Sequence, residues 1–185
     1  MIGLLRGVNL GGHHKVKMDE LRALCQRLKL RDVKTYVQSG NIVFRTDEKD
    51  AIQLAGRIEK AIERKFGFHS DVVLRTSAEL RGVIARSPFA GRKDLLPAKL
   101  IVTFLACELA KEKCDRILLI KAGLEEVRLG GGRELYIYFP DGMGKSKLPA
   151  LLDRALAKTG TARNWNTVTK LLEIAEAMEV AAKVG

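Results

Sequence analysis

The stretch Leu4-Leu5-Arg6-Gly7-Val8-Asn9-Leu10-Gly11-Gly12 decides how the rest of the chain is interpreted. Residues 2–8 form a short apolar run, which predicts a buried strand. Asn9 and the glycines after it predict a polar loop, because these residues accept backbone conformations that end regular structure. A second stretch, Tyr36-Val37-Gln38-Ser39-Gly40-Asn41-Ile42-Val43-Phe44, predicts two strands joined by a tight turn at Gln38-Ser39-Gly40.

The remaining chain alternates strands and helices in an order that occurs twice. Apolar residues recur at helical spacing over 17–29 while charged residues fill the other face, and the later helices follow the same pattern. The predicted strands are 2–8, 32–37, 41–45, 71–75, 99–106, 125–129, 134–139 and 161–166. The predicted helices are 17–29, 52–66, 77–84, 109–120, 146–158 and 167–178.

This order predicts an α+β fold, built as a tandem duplication of two ferredoxin-like β-α-β-β-α-β halves, each followed by a helix. The halves are predicted at 1–88 and 98–180, with a connector at 89–97 and a frayed tail at 181–185. The segments 73–80 and 163–171 support the repeat, since both run from a strand through a hydroxyl residue into a helix. The alternative is the chance recurrence of a common α+β pattern.

Two clusters of polar residues are candidate ligand-binding sites. In a split β-α-β unit, the loop after the first strand and the following hairpin lie at the same end of the sheet. The first cluster would gather there and consists of Arg6, Asn9, Lys15, Gln38, Ser39 and Asn41. The second surrounds Trp165, which we expect in the core, and consists of Arg163, Asn164 and Asn166. Strand alternation would place both of its asparagines on one face.

The chemistry of the first cluster suits an anion or a carbonyl-rich ligand. It offers cations, neutral amide groups and glycines that leave backbone N–H groups open to approach. It does not suit proton transfer, because no group in it titrates near neutrality. The alternative is structural: Asn9 and Asn41 would cap turns, and Arg6 would pair with an acid of a helix.

The net charge of +11 favours anionic partners such as nucleic acid or phosphorylated metabolites. The basic residues are dispersed, so solubility alone is the competing explanation. The first sheet offers only Tyr36 and Phe44 for stacking on RNA bases, so phosphate contacts should dominate any nucleic-acid binding. We therefore expect such binding to be weak and sensitive to salt.

Several other functions lack their motifs. Asp141-Gly142-Met143-Gly144-Lys145-Ser146 resembles the end of a P-loop, but Phe139 stands where the motif requires its first glycine. The N-terminus of a helix beginning at Ser146 is a simpler candidate for binding an anion. The histidines lack partners at metal-ligand spacing, so we predict no metal and no cofactor.

Compartment and redox state follow from two further patterns. Three cysteines without motif spacing predict buried, reduced thiols. The absence of a long apolar span or a signal-peptide pattern predicts a cytoplasmic chain without membrane insertion.

Four segments together resemble the uncharacterised bacterial family catalogued as domain of unknown function 1697. They are residues 4–12, residues 36–44, residues 134–136 with 140–142 and 146–148, and residues 162–168. The resemblance covers nearly the whole chain and implies an α+β fold with duplicated ferredoxin-like halves. It implies no activity. A binding protein for an anionic ligand is therefore our first expectation. The alternatives are an enzyme using the Arg6/Asn9/Gln38/Asn41 pocket and an interaction protein in which the clusters only fix loop geometry.

Overall fold

The computed structural model describes residues 1–157 and 159–184. These residues form a mixed α+β structure with two four-stranded antiparallel sheets and six α-helices. The first elements are β1 (Ile2–Leu5), α1 (Met18–Arg27), β2 (Arg31–Tyr36), β3 (Asn41–Arg45), α2 (Ala51–Phe66), β4 (Val72–Arg75) and α3 (Ser77–Ala85). The later elements are β5 (Leu100–Leu105), α4 (Lys111–Leu118), β6 (Glu126–Gly130), β7 (Glu134–Tyr138), α5 (Leu148–Ala155), β8 (Gly160–Asn164) and α6 (Trp165–Val184).

The chain divides into two compact units. The first unit contains Met1–Leu80 and the chain from Lys170 onward, and the second contains Arg81–Thr169. Helices α3 and α6 both include a point where the chain passes from one unit to the other. The connector at 89–97 was predicted as the segment between the two repeats, 1–88 and 98–180. These repeat limits are a different division of the chain from the two compact units, and they stay a prediction.

The sheet of the first unit has the strand order β2-β3-β1-β4, with every neighbouring pair antiparallel. Its core lies between one face of the sheet and the apolar sides of α1 and α2. The buried residues contributed by these elements are Leu5, Leu21, Leu24, Cys25, Val33, Ile42, Phe44, Leu54, Ile58, Ile62, Val72 and Leu74. The α2 helix begins where the Asp50 carboxylate accepts hydrogen bonds from Ile52 and Gln53, and it ends at Gly67 in a left-handed conformation.

The sheet of the second unit has the order β6-β7-β5-β8, again antiparallel throughout. Helices α4 and α5 supply the apolar residues that cover it. The buried core consists of Ile101, Leu105, Ile117, Leu135, Ile137, Phe139, Leu148, Leu152 and Leu156. Both sheets thus place their first and third strands in the centre and leave the second and fourth at the edges.

Three boundaries differ from the sequence prediction for local physical reasons. Strand β1 stops at Leu5, because Gly7 adopts a positive φ of 69°. Strand β8 stops at Asn164, whose side chain accepts a hydrogen bond from the N–H of Asn166 and starts α6. The chain expected to fray after residue 180 is helical as far as Val184, as its alanines favour.

Candidate functional site

The loop between β1 and α1 has an irregular backbone. Five of its residues have positive φ: Gly7, Asn9, Gly11, Gly12 and His14. A positive φ is uncommon for residues with a Cβ and persists where the surrounding structure enforces it. The ring of His14 stacks on Phe68 with centroids 4.3 Å apart, which anchors one side of the loop.

Asn9 ties this loop to the hairpin between β2 and β3. Its Nδ2 donates to the carbonyl oxygens of Val16, at 2.9 Å, and Gln38, at 2.7 Å. Its Oδ1 accepts from the N–H of Val16 at 2.8 Å. The two polar loops therefore lie at the same end of the sheet, as the strand order predicted. The Asn9 amide binds backbone groups, so its role in this structure is to hold the two loops together.

Asn41 fixes the hairpin from within. The residue is completely buried, and its Nδ2 donates to Tyr36 O and Ser39 Oγ, each at 2.9 Å. Gly40 has a φ of 73°, and a Cβ at this position would lie 2.4 Å from Cγ2 of Val8. The turn is thus pressed against the first loop, and Asn41 does not reach solvent.

A cavity of about 450 Å³ lies between the β1–α1 loop, the start of α1 and the hairpin. Its lining residues are Asn9, Lys15, Val16, Lys17, Met18, Asp19 and Gln38. The side chains of Lys15 and Gln38 are exposed, and neither has a hydrogen bond or an ion pair within the described part of the chain. Helix α1 begins here without a hydrogen bond to a capping side chain, so its positive end faces the same space.

Arg6 lies outside the lining of that cavity and has an acidic neighbour. Its Nη1 is 4.0 Å from Oδ2 of Asp71, a residue directly before β4 rather than on a helix. Asp71 Oδ1 also lies 3.0 Å from Nε2 of His69, and this hydrogen bond raises the pKa of the imidazole. The pair of His69 and Asp71 was not predicted from the sequence. The His-x-Asp spacing at the start of a strand could have indicated it, because residues two positions apart in a strand lie on the same face.

The second predicted cluster lies in the second unit, and its members have different environments. Arg163 is buried, and its Nη1 donates to Thr161 Oγ1 and Ala162 O, each at 2.8 Å; burial lowers its pKa to about 10. Asn164 donates to Ala98 O at 2.7 Å and caps α6, whereas Asn166 is exposed. Trp165 is only half-buried, since alternation ends with the strand. None of these residues lines the cavity between the loops of the first unit.

A family model described as a protein of unknown function, DUF1697, matches residues 1–136. The chain belongs to this family. The match includes the Asn9 loop, the hairpin and the cavity between them, and it ends before Arg163. A conserved bacterial protein, SP0830, from Streptococcus pneumoniae has a similar solved structure, with a TM-score of 0.77 and 24% identity. The similarity covers 95% of this chain and 97% of that one. At this identity it concerns the fold alone. No curated protein matches the chain.

Metal-binding side chains and free thiols are the two further kinds of reactive group in this DUF1697 protein. Within residues 1–157 and 159–184, no three His, Cys, Asp or Glu side chains are grouped to hold a metal ion. Cys25 is buried, which raises its pKa to about 12, but Cys107 is exposed, contrary to the expectation of buried thiols.

None of the helices described for this DUF1697 protein combines the length and the apolarity needed to cross a membrane.

Proposed function

We propose that the cavity between the β1–α1 loop and the β2–β3 hairpin binds an anionic group of a small molecule or of nucleic acid. One observation carries the proposal: the Asn9 bond to Gln38 O assembles a cation, an amide and a helix N-terminus around a single cavity. At about 450 Å³, the cavity is in the range of small-molecule sites.

The electrostatics of the lining favour a negative group. Lys15 supplies an ammonium, Gln38 supplies amide N–H groups, and the N-terminus of α1 adds a partial positive charge. Asp19 also lines the cavity, but it forms an ion pair with Arg22 and its charge is therefore balanced. The net charge of +11 attracts anions to the surface as a whole.

The predicted ligand-binding residues take different roles in this proposal. Lys15 and Gln38 contact the ligand, while Asn9, Ser39 and Asn41 hold the two loops in position. Arg6 acts from the edge as a second cation, balanced in part by Asp71. Arg163, Asn164 and Asn166 stabilise the junction of β8 and α6. The lining has no Ser, Thr, Cys or His side chain, and its one carboxylate, Asp19, forms an ion pair with Arg22, which favours binding over catalysis.

Calorimetric titration with pyrophosphate, citrate and a short single-stranded oligonucleotide tests the proposal. Loss of a charge-assisted hydrogen bond costs about 1.5–3 kcal/mol, so Lys15→Ala should weaken binding roughly tenfold to a hundredfold. Lys60→Ala is the matched control, because Lys60 is exposed on α2 and has no partner within the described residues. Oligonucleotide binding should also weaken steeply with added salt.

Three results would contradict the proposal. If none of the three probes binds, or if Lys15→Ala and Lys60→Ala reduce binding equally, the polar cluster only fixes loop geometry. Oligonucleotide binding that persists at high salt or prefers one base sequence would show that base contacts, absent from this proposal, dominate.

We also propose that the chain is a tandem duplication of ferredoxin-like halves, with limits near 1–88 and 98–180. The shared strand order supports it. A second support is the pair of buried arginines, Arg75 and Arg163, which lie in the fourth strands of the two halves, opposite Ile2 and Val102 of the first strands. An experimental structure in which each half is superposed on the other should align these arginines; failure to align would reject the duplication.

A further inference from the structure

A second cavity, of about 380 Å³, lies in the second unit around the segment that resembles the end of a P-loop. Its lining comes from residues 122–125, 139–142 and 145–147. The Ser146 hydroxyl donates a hydrogen bond to Oε1 of Glu125, and its oxygen accepts one from the N–H of Leu148 at 3.0 Å. The carboxylate of Glu125 therefore contacts the hydroxyl that accepts a hydrogen bond from the first N–H of α5.

The other oxygen of this carboxylate has no such partner. Glu125 Oε2 is buried, and none of the described residues donates a hydrogen bond to it. Gly123 lies beside it, and a Cβ there would be 3.0 Å from Oε2. A buried carboxylate oxygen is destabilising unless a donor reaches it, and this oxygen is an acceptor for which the described residues supply no donor.

The remaining charges of the lining are arranged around this acceptor. Lys145, Lys147 and Asp141 are exposed, and no residue in the described ranges forms an ion pair with any of them. The formal charges of the lining thus sum to zero, with two ammonium groups and two carboxylates at separate positions. A simple cation would be repelled by the lysines, and a simple anion by Glu125.

We propose that this cavity binds a small zwitterion of amino-acid or dipeptide size. The ammonium group of the ligand donates to Glu125 Oε2, and its carboxylate accepts hydrogen bonds from Lys145 and Lys147. The cavity volume lies at the lower end of the range for small-molecule sites, which favours a ligand of this size. The site is separate from the anion cavity proposed above, because all of its residues belong to the second unit.

NMR titration of the ¹⁵N-labelled full chain with the common amino acids and glycylglycine tests the proposal. N-acetylglycylglycine, which lacks the ammonium, and glycylglycinamide, which lacks the carboxylate, are matched probes. A zwitterionic member of the panel should shift the resonances of residues 122–125 and 139–147 at about millimolar concentration. The two matched probes should cause no such shifts.

Variants of the chain assign the contacts. Glu125→Gln should weaken the zwitterion roughly tenfold to a hundredfold, since it removes the charge that the ammonium meets. It keeps an oxygen for the Ser146 hydroxyl, so we expect it to fold. Asp115→Asn is the matched control, because Asp115 is an exposed acid of α4 outside the lining. Lys147→Ala provides a second test from the carboxylate end and should weaken the zwitterion while leaving any residual glycylglycinamide binding unchanged.

The proposal fails if no zwitterion in the panel binds at about 10 mM. It also fails if N-acetylation leaves the affinity unchanged, or if Glu125→Gln and Asp115→Asn behave alike. If Glu125→Gln does not fold, Lys147→Ala decides the question: equal affinity of this variant and the original chain for the zwitterion would overturn the assignment.

Discussion

The two units connect the loop after their first strand to the following hairpin in different ways. In the first unit the connection is a side chain: Asn9 Nδ2 donates to Gln38 O at 2.7 Å. In the second unit it is backbone: the N–H of Leu109 donates to Gly132 O at 3.2 Å. The strand contact below is the same in both, because Leu5 and Leu105 each donate their N–H to a hairpin carbonyl, of Gly40 and Arg133 respectively.

This difference accompanies a difference in loop length. The loop occupies 6–17 before α1 but only 106–110 before α4. A backbone hydrogen bond requires the chain itself to lie against the hairpin, which suits a short, closed loop. A side chain reaches further, so the residues after Val8 are joined to the hairpin through the Asn9 amide, and a cavity lies between this part of the loop and the hairpin. The side-chain connection thus explains why this end of the sheet carries a candidate site in the first unit.

Among the variants that test this comparison, Gly40→Ala is expected to change the free energy of unfolding most. The left-handed φ of 73° is unfavourable for alanine, and the new Cβ would meet Val8 Cγ2 at 2.4 Å and Leu5 Cβ at 2.8 Å. Together, strain and overpacking should lower the free energy of unfolding by about 2–4 kcal/mol, measured by urea denaturation. Gly56→Ala within α2 is the control, because it meets nothing within 4 Å and should stabilise the chain by about 0.5–1 kcal/mol. Equal stability of the two variants would show that the hairpin does not press on β1.

Asn9→Gly removes the side-chain connection while keeping a residue that accepts a positive φ. Three hydrogen bonds to backbone are lost, some of which water replaces, so a destabilisation of about 1–3 kcal/mol is expected. Urea denaturation gives the stability, and ¹⁵N relaxation of residues 37–40 reports the hairpin. Greater mobility there should accompany weaker binding of the anionic probes. If hairpin dynamics do not change, Asn9 does not hold the two loops together.

The sequence predicted the parts of this arrangement that depend on local patterns. Apolar runs and the turn at 38–40 located every strand to within a few residues, and the strand order brought the two loops together. The sequence did not predict which group each polar side chain binds, because an amide forms hydrogen bonds with a ligand or with the backbone equally well. Asn9 and Asn41 were candidate ligand residues, yet both bond to their own loops.

Contacts between distant residues were also hidden from sequence patterns. Ser146 and Glu125 are 21 positions apart, and nothing local indicates that this carboxylate contacts the serine hydroxyl just before α5. Trp165 was expected in the core because a lone tryptophan is usually buried, but the cap at Asn164 starts the helix at Trp165, two residues before the predicted position 167. Secondary-structure propensities predict whether a segment is a strand or a helix more reliably than they predict the residue at which one ends and the other begins.

The smallest expected effect is a pH dependence of stability that arises from a histidine of the first unit. All three histidines of the chain, at positions 13, 14 and 69, lie in the first unit. The hydrogen bond to Asp71 raises the pKa of His69 above its ordinary value of 6.5 in the folded protein. The pair therefore stabilises the fold fully below pH 6.5, and the contribution is lost as the pH rises through the folded-state pKa. His69→Gln removes it.

Both side chains of this pair are about half exposed, so solvent screens the interaction to about a few tenths of a kcal/mol. Melting temperatures of the original chain and of His69→Gln should therefore differ slightly at pH 5.5 and converge by about pH 8. Asp71→Asn should give the same pH dependence, because it removes the charge that stabilises the imidazolium, although it also changes the neighbour of Arg6. A difference that grows with rising pH would have the wrong sign and would show that His69 is stabilised in its neutral form. A constant difference would mean that the contribution of His69 comes from packing.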